Sequence, residues 1–173
     1  MSANPEIAPY VFSDAVRAFW STRLQQLEAQ RLRDVTDQGT RGAVTAGQQM
    51  NGFARIIVEL IESVGVDPGD IYLKGSALPG YFRPTKNWDI VVATNDTLLA
   101  AIELKSMVGS FGNNLNNRTE EALGNAVDLW TAYREGAFRA SPQPWLGYLF
   151  VLEAIDKSLR PVRVRSPRFP EFD

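Results

Sequence analysis

The sequence predicts an α/β (α+β) fold in which a mixed sheet is flanked by helices, in a single domain spanning residues 1–173. Segment order carries this prediction: two helical patterns, three extended segments, another helix and a last apolar strand. A chain of 173 residues, 45% of them hydrophobic and 22% charged, can bury one core. We divide it into an N-terminal helix at 13–34, a core at about 45–155 and a basic, proline-containing tail at 156–173.

Two amphipathic helices are predicted first. Ser13 suits the N-cap of the first helix, and apolar residues follow at helical spacing at Val16, Phe19, Trp20, Leu24 and Leu27. Thr45 and Gln48 form a capping box for the second helix. That helix carries apolar residues at Met50, Phe53, Ile56, Ile57, Leu60, Ile61 and Val64. Gly65 and the turn that follows it end the pattern.

Three extended segments are predicted next, at residues 71–74, 88–93 and 99–106. Residues 75–87 contain two prolines and two glycines and are predicted to form a long loop. A turn at residues 94–97 would pair the second and third strands as a hairpin. Asn117 caps a helix that ends before Gly136, and residues 146–153 form the last strand.

Composition excludes several kinds of chemistry. The chain has no cysteine and no histidine, which rules out disulfides, thiolate metal sites, Ser-His-Asp triads and an imidazole base. Catalysis would depend on carboxylates, lysine, tyrosine or metal-bound water. The net charge of −2 argues mildly against nonspecific binding of polyanions.

Two regions are nevertheless locally basic, and each is either a solvated face or a phosphate-binding surface. They lie around the first helix (Arg17, Arg23, Arg31, Arg33, Arg41) and in the tail (Lys157, Arg160, Arg163, Arg165, Arg168). Residues 1–9 lack the basic start and apolar run of a secretory signal. No segment approaches the ~20 apolar residues of a membrane span. We therefore expect a cytoplasmic protein with no membrane partner.

Acidic and basic residues lie close together at the predicted hairpin. Asp89 stands at the start of one strand, while Glu103 and Lys105, two residues apart, share one face of the next. Mg²⁺ takes one or two carboxylates and completes its shell with water and phosphate oxygens. The arrangement therefore predicts a magnesium site suited to cutting a phosphodiester. The alternative is an exposed, charged strand face beside an ordinary turn.

A longer run makes the pattern more specific. Residues 103–121, Glu-Leu-Lys-Ser-Met-Val-Gly-Ser-Phe-Gly-Asn-Asn-Leu-Asn-Asn-Arg-Thr-Glu-Glu, resemble the XhoI family of type II restriction endonucleases, within the PD-(D/E)xK nuclease superfamily. Residues 83–89 and 122–130 resemble the same family. Trp88 stands where the name-giving proline of the superfamily would precede Asp89. That proline shapes the turn and does no chemistry.

The resemblance implies a restriction-endonuclease-like PD-(D/E)xK core. It also implies a Mg²⁺-dependent enzyme of a restriction-modification system that cuts both strands of double-stranded DNA at the palindrome CTCGAG. A palindromic site calls for a homodimer. Asp89, Glu103 and the backbone carbonyl of Leu104 would hold the metal, and Lys105 would position or activate water. Glu59, on the second predicted helix, is a candidate further acid, with a solvated surface residue as the alternative.

Asparagines crowd the segment after the Glu-x-Lys strand. Asn can form two hydrogen bonds with N6 and N7 of adenine, and arginine and lysine can contact phosphate. The candidate DNA-binding residues are therefore Lys86, Asn113, Asn114, Asn116, Asn117 and Arg118. Ordinary turn chemistry with an N-cap is the alternative for the asparagines.

Two other functions remain open. One is a PD-(D/E)xK repair or junction nuclease. The other is a DNA-binding fragment without cleavage activity, because members of the family are expected to extend beyond residue 173.

Overall fold

The computed structural model describes residues 8–33, 47–73, 76–109, 111 and 113–160. Its helices are α1 (Pro9–Arg33), α2 (Asn51–Ser63), α3 (Asn113–Arg134) and the short α4 (Asp156–Leu159). Its strands are β1 (Ile71–Tyr72), β2 (Ala77–Pro79), β3 (Thr85–Asn87), β4 (Ile90–Thr94), β5 (Thr97–Met107) and β6 (Trp145–Leu152). Short 3-10 turns lie at Gln48–Met50 and Pro68–Asp70. None of the helices in these ranges is long and apolar enough to cross a membrane.

The central sheet has four strands in the order β1-β4-β5-β6. β4 pairs antiparallel with β1 and β5, whereas β5 pairs parallel with β6. Asn95 and Asp96 form the turn between β4 and β5, with φ angles of 46° and 66°. Both residue types tolerate the left-handed conformation that two-residue hairpin turns require. The predicted hairpin is therefore present.

Helices cover both faces of this sheet. One apolar cluster joins α1 and α2 to the sheet: Ala15, Phe19, Met50, Phe53, Ile56, Ile90, Ile102 and Leu104. A second lies on the opposite face, with α3: Trp88, Val91, Leu98, Ala101, Leu129, Ala132 and Phe138. The predicted class, a mixed sheet flanked by helices, is confirmed.

Strand alternation decides where the charged residues of β5 lie. Ile102 and Leu104 belong to the cluster with α1 and α2, while Ala101 belongs to the cluster with α3. Side chains two residues apart share a face of a strand. Glu103 and Lys105 therefore lie on the side of the sheet that α3 covers.

The first helix is longer and less buried than its apolar pattern suggests. α1 begins at Pro9, four residues before the predicted cap. Phe19 is buried, but the rest of the predicted stripe is 38–60% exposed: Val16, Trp20, Leu24 and Leu27. The periodicity identified the helix, but it could not show how much of the stripe other elements would cover.

Two further predictions differ from the observed structure. Residues 75–87, predicted as a loop, contain the two-stranded β2–β3 hairpin, in which Leu78 pairs with Lys86. α3 begins at Asn113, so most of the asparagine-rich segment forms its first turns. Thr45 of the predicted capping box, and the part of the basic tail beyond residue 160, lie outside the described residues.

Candidate active site

Asp89 lies just before β4 and hydrogen-bonds to β5, at the end of the strand pair away from the turn. Its backbone N–H donates to the carbonyl oxygen of Ile102 (3.1 Å), and its Oδ2 accepts the N–H of Leu104 (2.6 Å). The residue as a whole is exposed. Loss of water around the carboxylate nevertheless raises the pKa of Asp89, and the charge of Glu103 adds to this effect. The hydrogen bond from Leu104 and two nearby lysines oppose it.

Glu103 is buried between two lysines. Its side chain is 3% exposed, and Lys86 Nζ lies 2.8 Å from Oε2 while Lys105 Nζ lies 2.6 Å from Oε1. Lys86 comes from β3 of the small hairpin and also lies over the ring of Trp88, 4.7 Å from its centroid. A buried carboxylate must be paired or hydrogen-bonded, and here both of its oxygens are.

Lys105 also contacts a second carboxylate, which comes from α3. Its Nζ lies 3.2 Å from Glu121 Oε1, and the other oxygen of Glu121 pairs with Arg118. Burial acts to lower the pKa of Lys105, but the hydrogen bonds and charges of Glu103 and Glu121 outweigh it, so the pKa is raised. Lys105 is therefore held as a cation.

Tyr148 of β6 completes this side of the site. It pairs with Glu103 across the parallel strands, and its hydroxyl donates to the carbonyl oxygen of Arg118 (3.5 Å). Burial and the neighbouring charge of Glu121 raise the pKa of the Tyr148 hydroxyl. The hydroxyl is thus protonated at neutral pH.

The donor set suits a hard cation. Asp89 and Glu103 supply carboxylate oxygens, and Mg²⁺ commonly takes only one or two of these, with water or substrate oxygens completing the shell. Across the described residues, no group of three or more His, Cys, Asp or Glu side chains is arranged to hold a metal. A cation at Glu103 would take the place of a lysine ammonium.

Glu59 has an ion-pair partner within its own helix. It is exposed on α2 and pairs with Arg55, with Arg55 Nε 3.6 Å from Glu59 Oε1. Asp89 and Leu104 line a cleft of about 730 Å³ together with Arg55 and other residues of the α2 region, but Glu59 is not among its lining residues. The charged side chain of α2 that lines this cleft is therefore Arg55, beside the uncharged Asn51, Ala54 and Val58.

The candidate DNA-binding residues fall into three groups. Lys86 is largely buried and forms an ion pair with Glu103. Asn116 and Asn117 are exposed near the start of α3, and Arg118 is half-buried on Glu121. Asn113 and Asn114 begin α3, but their side chains are outside the described part of the chain.

Sequence reasoning missed Glu121 as a site residue. It is the last residue of the run that carried the family resemblance. The separation of Glu121 from Lys105 along the sequence does not predict a contact, because the contact depends on how α3 packs on the sheet. The signal in the sequence that could have identified Glu121 was a polar residue on the face of α3 that covers the charged side of β5.

The comparisons with known proteins identify the family of the chain. The family described as "Restriction endonuclease XhoI" matches residues 29–173. The chain is 55% identical over 146 residues to the Type II restriction enzyme BstVI of Geobacillus stearothermophilus, covering 79% of this chain and 65% of that protein. It is 45% identical over 159 residues to AbrI of Azospirillum brasilense, also a Type II restriction enzyme, covering 90% of this chain and 71% of AbrI.

A third relative is the Type II restriction enzyme XhoI of Xanthomonas vasicola, 45% identical over 161 residues, covering 91% of this chain and 64% of that protein. The chain thus spans about two thirds of the length of these relatives. No solved structure gives a significant match. Because the family match covers most of the sequence and the identities are high, this chain belongs to the XhoI restriction endonuclease family.

Proposed function

We propose that the chain is the nuclease domain of a type II restriction endonuclease that cuts both strands of double-stranded DNA with Mg²⁺. The observation that carries the proposal is the proximity of Asp89, just before β4, to the ion pair of Glu103 and Lys105 on β5, since both charges act on the Asp89 carboxylate. The relatives named as Type II restriction enzymes support it.

Asp89 and Glu103 would hold the metal, with the carbonyl oxygen of Leu104 as a further ligand. When bound, Mg²⁺ would neutralise charge on the phosphate and lower the pKa of a water. The ammonium groups of Lys86 and Lys105 neutralise Glu103 in the absence of metal. Lys86 can then turn to the phosphate as Glu103 turns to the metal, while Glu121 still holds Lys105.

Lys105 would orient the attacking water. Its raised pKa favours an ammonium that donates hydrogen bonds over a neutral base. In the reaction the water oxygen bonds to phosphorus and the P–O3′ bond breaks. O3′ leaves with a proton, so the cut end carries a 5′-phosphate.

The finer assignments come from the family resemblance. We propose CTCGAG as the recognised site, cut by a homodimer whose two-fold axis matches the palindrome, in a cytoplasmic restriction-modification system. Asn113, Asn114, Asn116, Asn117 and Arg118 stand near the start of α3, next to the Arg118–Glu121 pair, and remain candidates for DNA contacts. Glu59 remains a candidate acid on the resemblance alone.

Digestion of genomic DNA with Mg²⁺, with the ends sequenced, tests the proposal. We expect fragments ending within CTCGAG that disappear with EDTA and with Lys105→Ala. Arg134→Ala removes an exposed cation at the end of α3, outside both basic regions, and as the control should cut normally. Binding of the site without cleavage by a folded protein would contradict the nuclease and favour a DNA-binding function.

A further inference from the structure

Asp89 lies in a cleft of about 730 Å³ that the start of α2 also lines. Leu104 lines the cleft from β5, and the residues contributed by α2 and the 3-10 turn before it include Gln48, Asn51 and Arg55. Arg55 and Asp89 are the charged members of this lining, and the other members are neutral. A cation on α2 and a proposed metal ligand therefore share one cleft.

The guanidinium of Arg55 is available for a further anion. The side chain is 71% exposed, and its contact with Glu59 is loose, at 3.6 Å between Arg55 Nε and Glu59 Oε1. That separation is longer than a hydrogen bond, and the side chain of Glu59 is itself 56% exposed. Exposed pairs of this kind contribute little free energy, so an incoming anion can take the place of Glu59. Within the described part of the chain, Arg55 has no other polar contact.

Two other cations near Asp89 are committed to a buried carboxylate. Lys86 and Lys105 act on the charge of Asp89, but both pair with Glu103, whose side chain is 3% exposed. Removing a partner from a buried carboxylate is costly. The partner of Arg55 is exposed, so its loss leaves no buried charge behind. Of these three cations, Arg55 is the one that can bind a new anion in the metal-free protein at little cost.

Arg55 and Lys105 belong to opposite faces of the sheet. α2 packs with Leu104 in one apolar cluster, whereas Lys105 lies on the side that α3 covers and contacts Glu121 there. Asp89 lines the cleft with α2, and the charge of Lys105 also acts on its carboxylate. A phosphate bound at Asp89 would therefore have one cation available from each face of the sheet.

We propose that Arg55 binds a backbone phosphate of the DNA strand whose scissile phosphate lies at Asp89. This inference rests on the proposed nuclease function, which identifies the anion. A strand that reaches Asp89 carries a phosphate at every nucleotide, so a phosphate adjoining the scissile one falls within the same cleft. Gln48 and Asn51 are exposed amides in this lining, a side-chain type that also contacts phosphate oxygens.

The contact adds affinity without reading bases, because every backbone phosphate presents the same oxygens. It also releases a counterion from the DNA, so it should contribute to the salt dependence of binding. Arg55 is thus assigned to holding the strand, and the chemistry is left to the groups around Asp89 and Glu103.

The test is steady-state cleavage of a CTCGAG duplex with Mg²⁺, over a range of salt concentrations. A duplex that lacks the site is added as a competitive inhibitor, and its inhibition constant measures binding that is independent of sequence. We compare wild type, Arg55→Ala, Arg55→Lys and the control Arg134→Ala, which removes an exposed arginine from the end of α3. Alanine suits a helix, so Arg55→Ala should fold, and thermal denaturation checks this.

Arg55→Ala should raise KM for the CTCGAG duplex about tenfold at low salt and raise the inhibition constant of the other duplex by the same factor. The slope of log KM against log salt should decrease by about 0.9, the share of one phosphate contact. The kcat value should stay within about twofold of wild type, because the contact is the same in the ground state and the transition state. Arg55→Lys should keep the wild-type slope, and Arg134→Ala should behave as wild type.

Three results would overturn the inference while leaving the proposed function intact, each with normal cleavage by wild type. The first is an unchanged KM and salt slope for Arg55→Ala. The second is a loss of kcat alone, which would place Arg55 in the chemistry. The third is a raised KM with an unchanged inhibition constant, which would mean that Arg55 reads a base. A folded wild type that cuts no duplex would overturn the proposed function together with the inference.

Discussion

The carboxylate of Glu121 on α3 lies 3.2 Å from the ammonium of Lys105 on β5. Lys105 therefore has two acceptors, Glu103 within its own strand and Glu121 from the helix above it. If Glu103 turns to a metal, Glu121 still holds the lysine. Arg118, on the other oxygen of Glu121, fixes that carboxylate in turn.

Glu121→Gln should lower kcat for DNA cleavage by roughly tenfold or more, because it removes a charged hydrogen bond that positions Lys105. KM for DNA should change little, since Glu121 is not expected to bind substrate. Steady-state cleavage measures both constants. Glu120→Gln changes the exposed neighbour on α3 and should leave both unchanged. Equal kcat values for wild type and Glu121→Gln would show that Lys105 needs no anchor on α3.

Asp89→Asn should raise the melting temperature of the metal-free protein at pH 7, or leave it unchanged. The pKa of Asp89 is raised in the folded state, so the folded protein binds this proton more tightly than the unfolded chain does. The stabilisation is full below the unfolded pKa and is lost as pH rises through the folded pKa. Asn keeps an acceptor for the N–H of Leu104.

Addition of Mg²⁺ to wild type and to Asp89→Asn separates the effect of Asp89 on stability from its effect on metal binding. Wild type should gain thermal stability with Mg²⁺ because a ligand that binds only the folded state stabilises it. Asp89→Asn should gain little. A shift with Mg²⁺ as large as that of wild type would remove Asp89 from the metal site. Glu62→Gln, an exposed change on α2, controls for nonspecific effects of charge.

Local patterns predicted the strands of the central sheet well. The hairpin could be predicted from the sequence because a two-residue turn joins β4 to β5, but the register shifts between Val92 and Ala93, so the turn alone does not fix where Asp89 lies along β5. Alternation along β5 then decides which side chains share a face. These relationships depend on neighbouring residues, and they hold whatever the rest of the fold does.

Contacts across elements could not be predicted in the same way. Lys86 was a candidate for DNA contact, yet it lies on Glu103, because the β2–β3 hairpin folds over the site where a loop was expected. Glu121 contacts Lys105, and Asp128 accepts the N–H of Tyr81, because of where α3 lies over the sheet. No periodicity in the sequence specifies that position. The position of α3 depends on its packing on the sheet, to which Leu129 and Ala132 contribute.

Gly80→Ala should destabilise the protein by about 1–3 kcal/mol, because the added Cβ meets the Asp128 carboxylate and the backbone of Arg83. Urea unfolding measures the free energy. Gly124→Ala is the matched control, since this helical glycine has no atom within 4 Å of an added Cβ. It should be stabilising by about 0.5–1 kcal/mol. A neutral Gly80→Ala would mean that the turn at residues 80–84, between β2 and β3, is loosely held.

Lys86→Ala should lower the melting temperature of the metal-free protein and increase the stabilisation by Mg²⁺. Glu103 is buried, and without Lys86 only Lys105 neutralises it, at a cost of about 1–3 kcal/mol. A metal ion would no longer compete with Lys86 for Oε2, so Mg²⁺ should restore more stability to this variant than it adds to wild type. Thermal denaturation over a Mg²⁺ titration measures this, with the exposed Lys157→Ala as control. Equal Mg²⁺ responses of wild type and Lys86→Ala would place the metal away from Glu103.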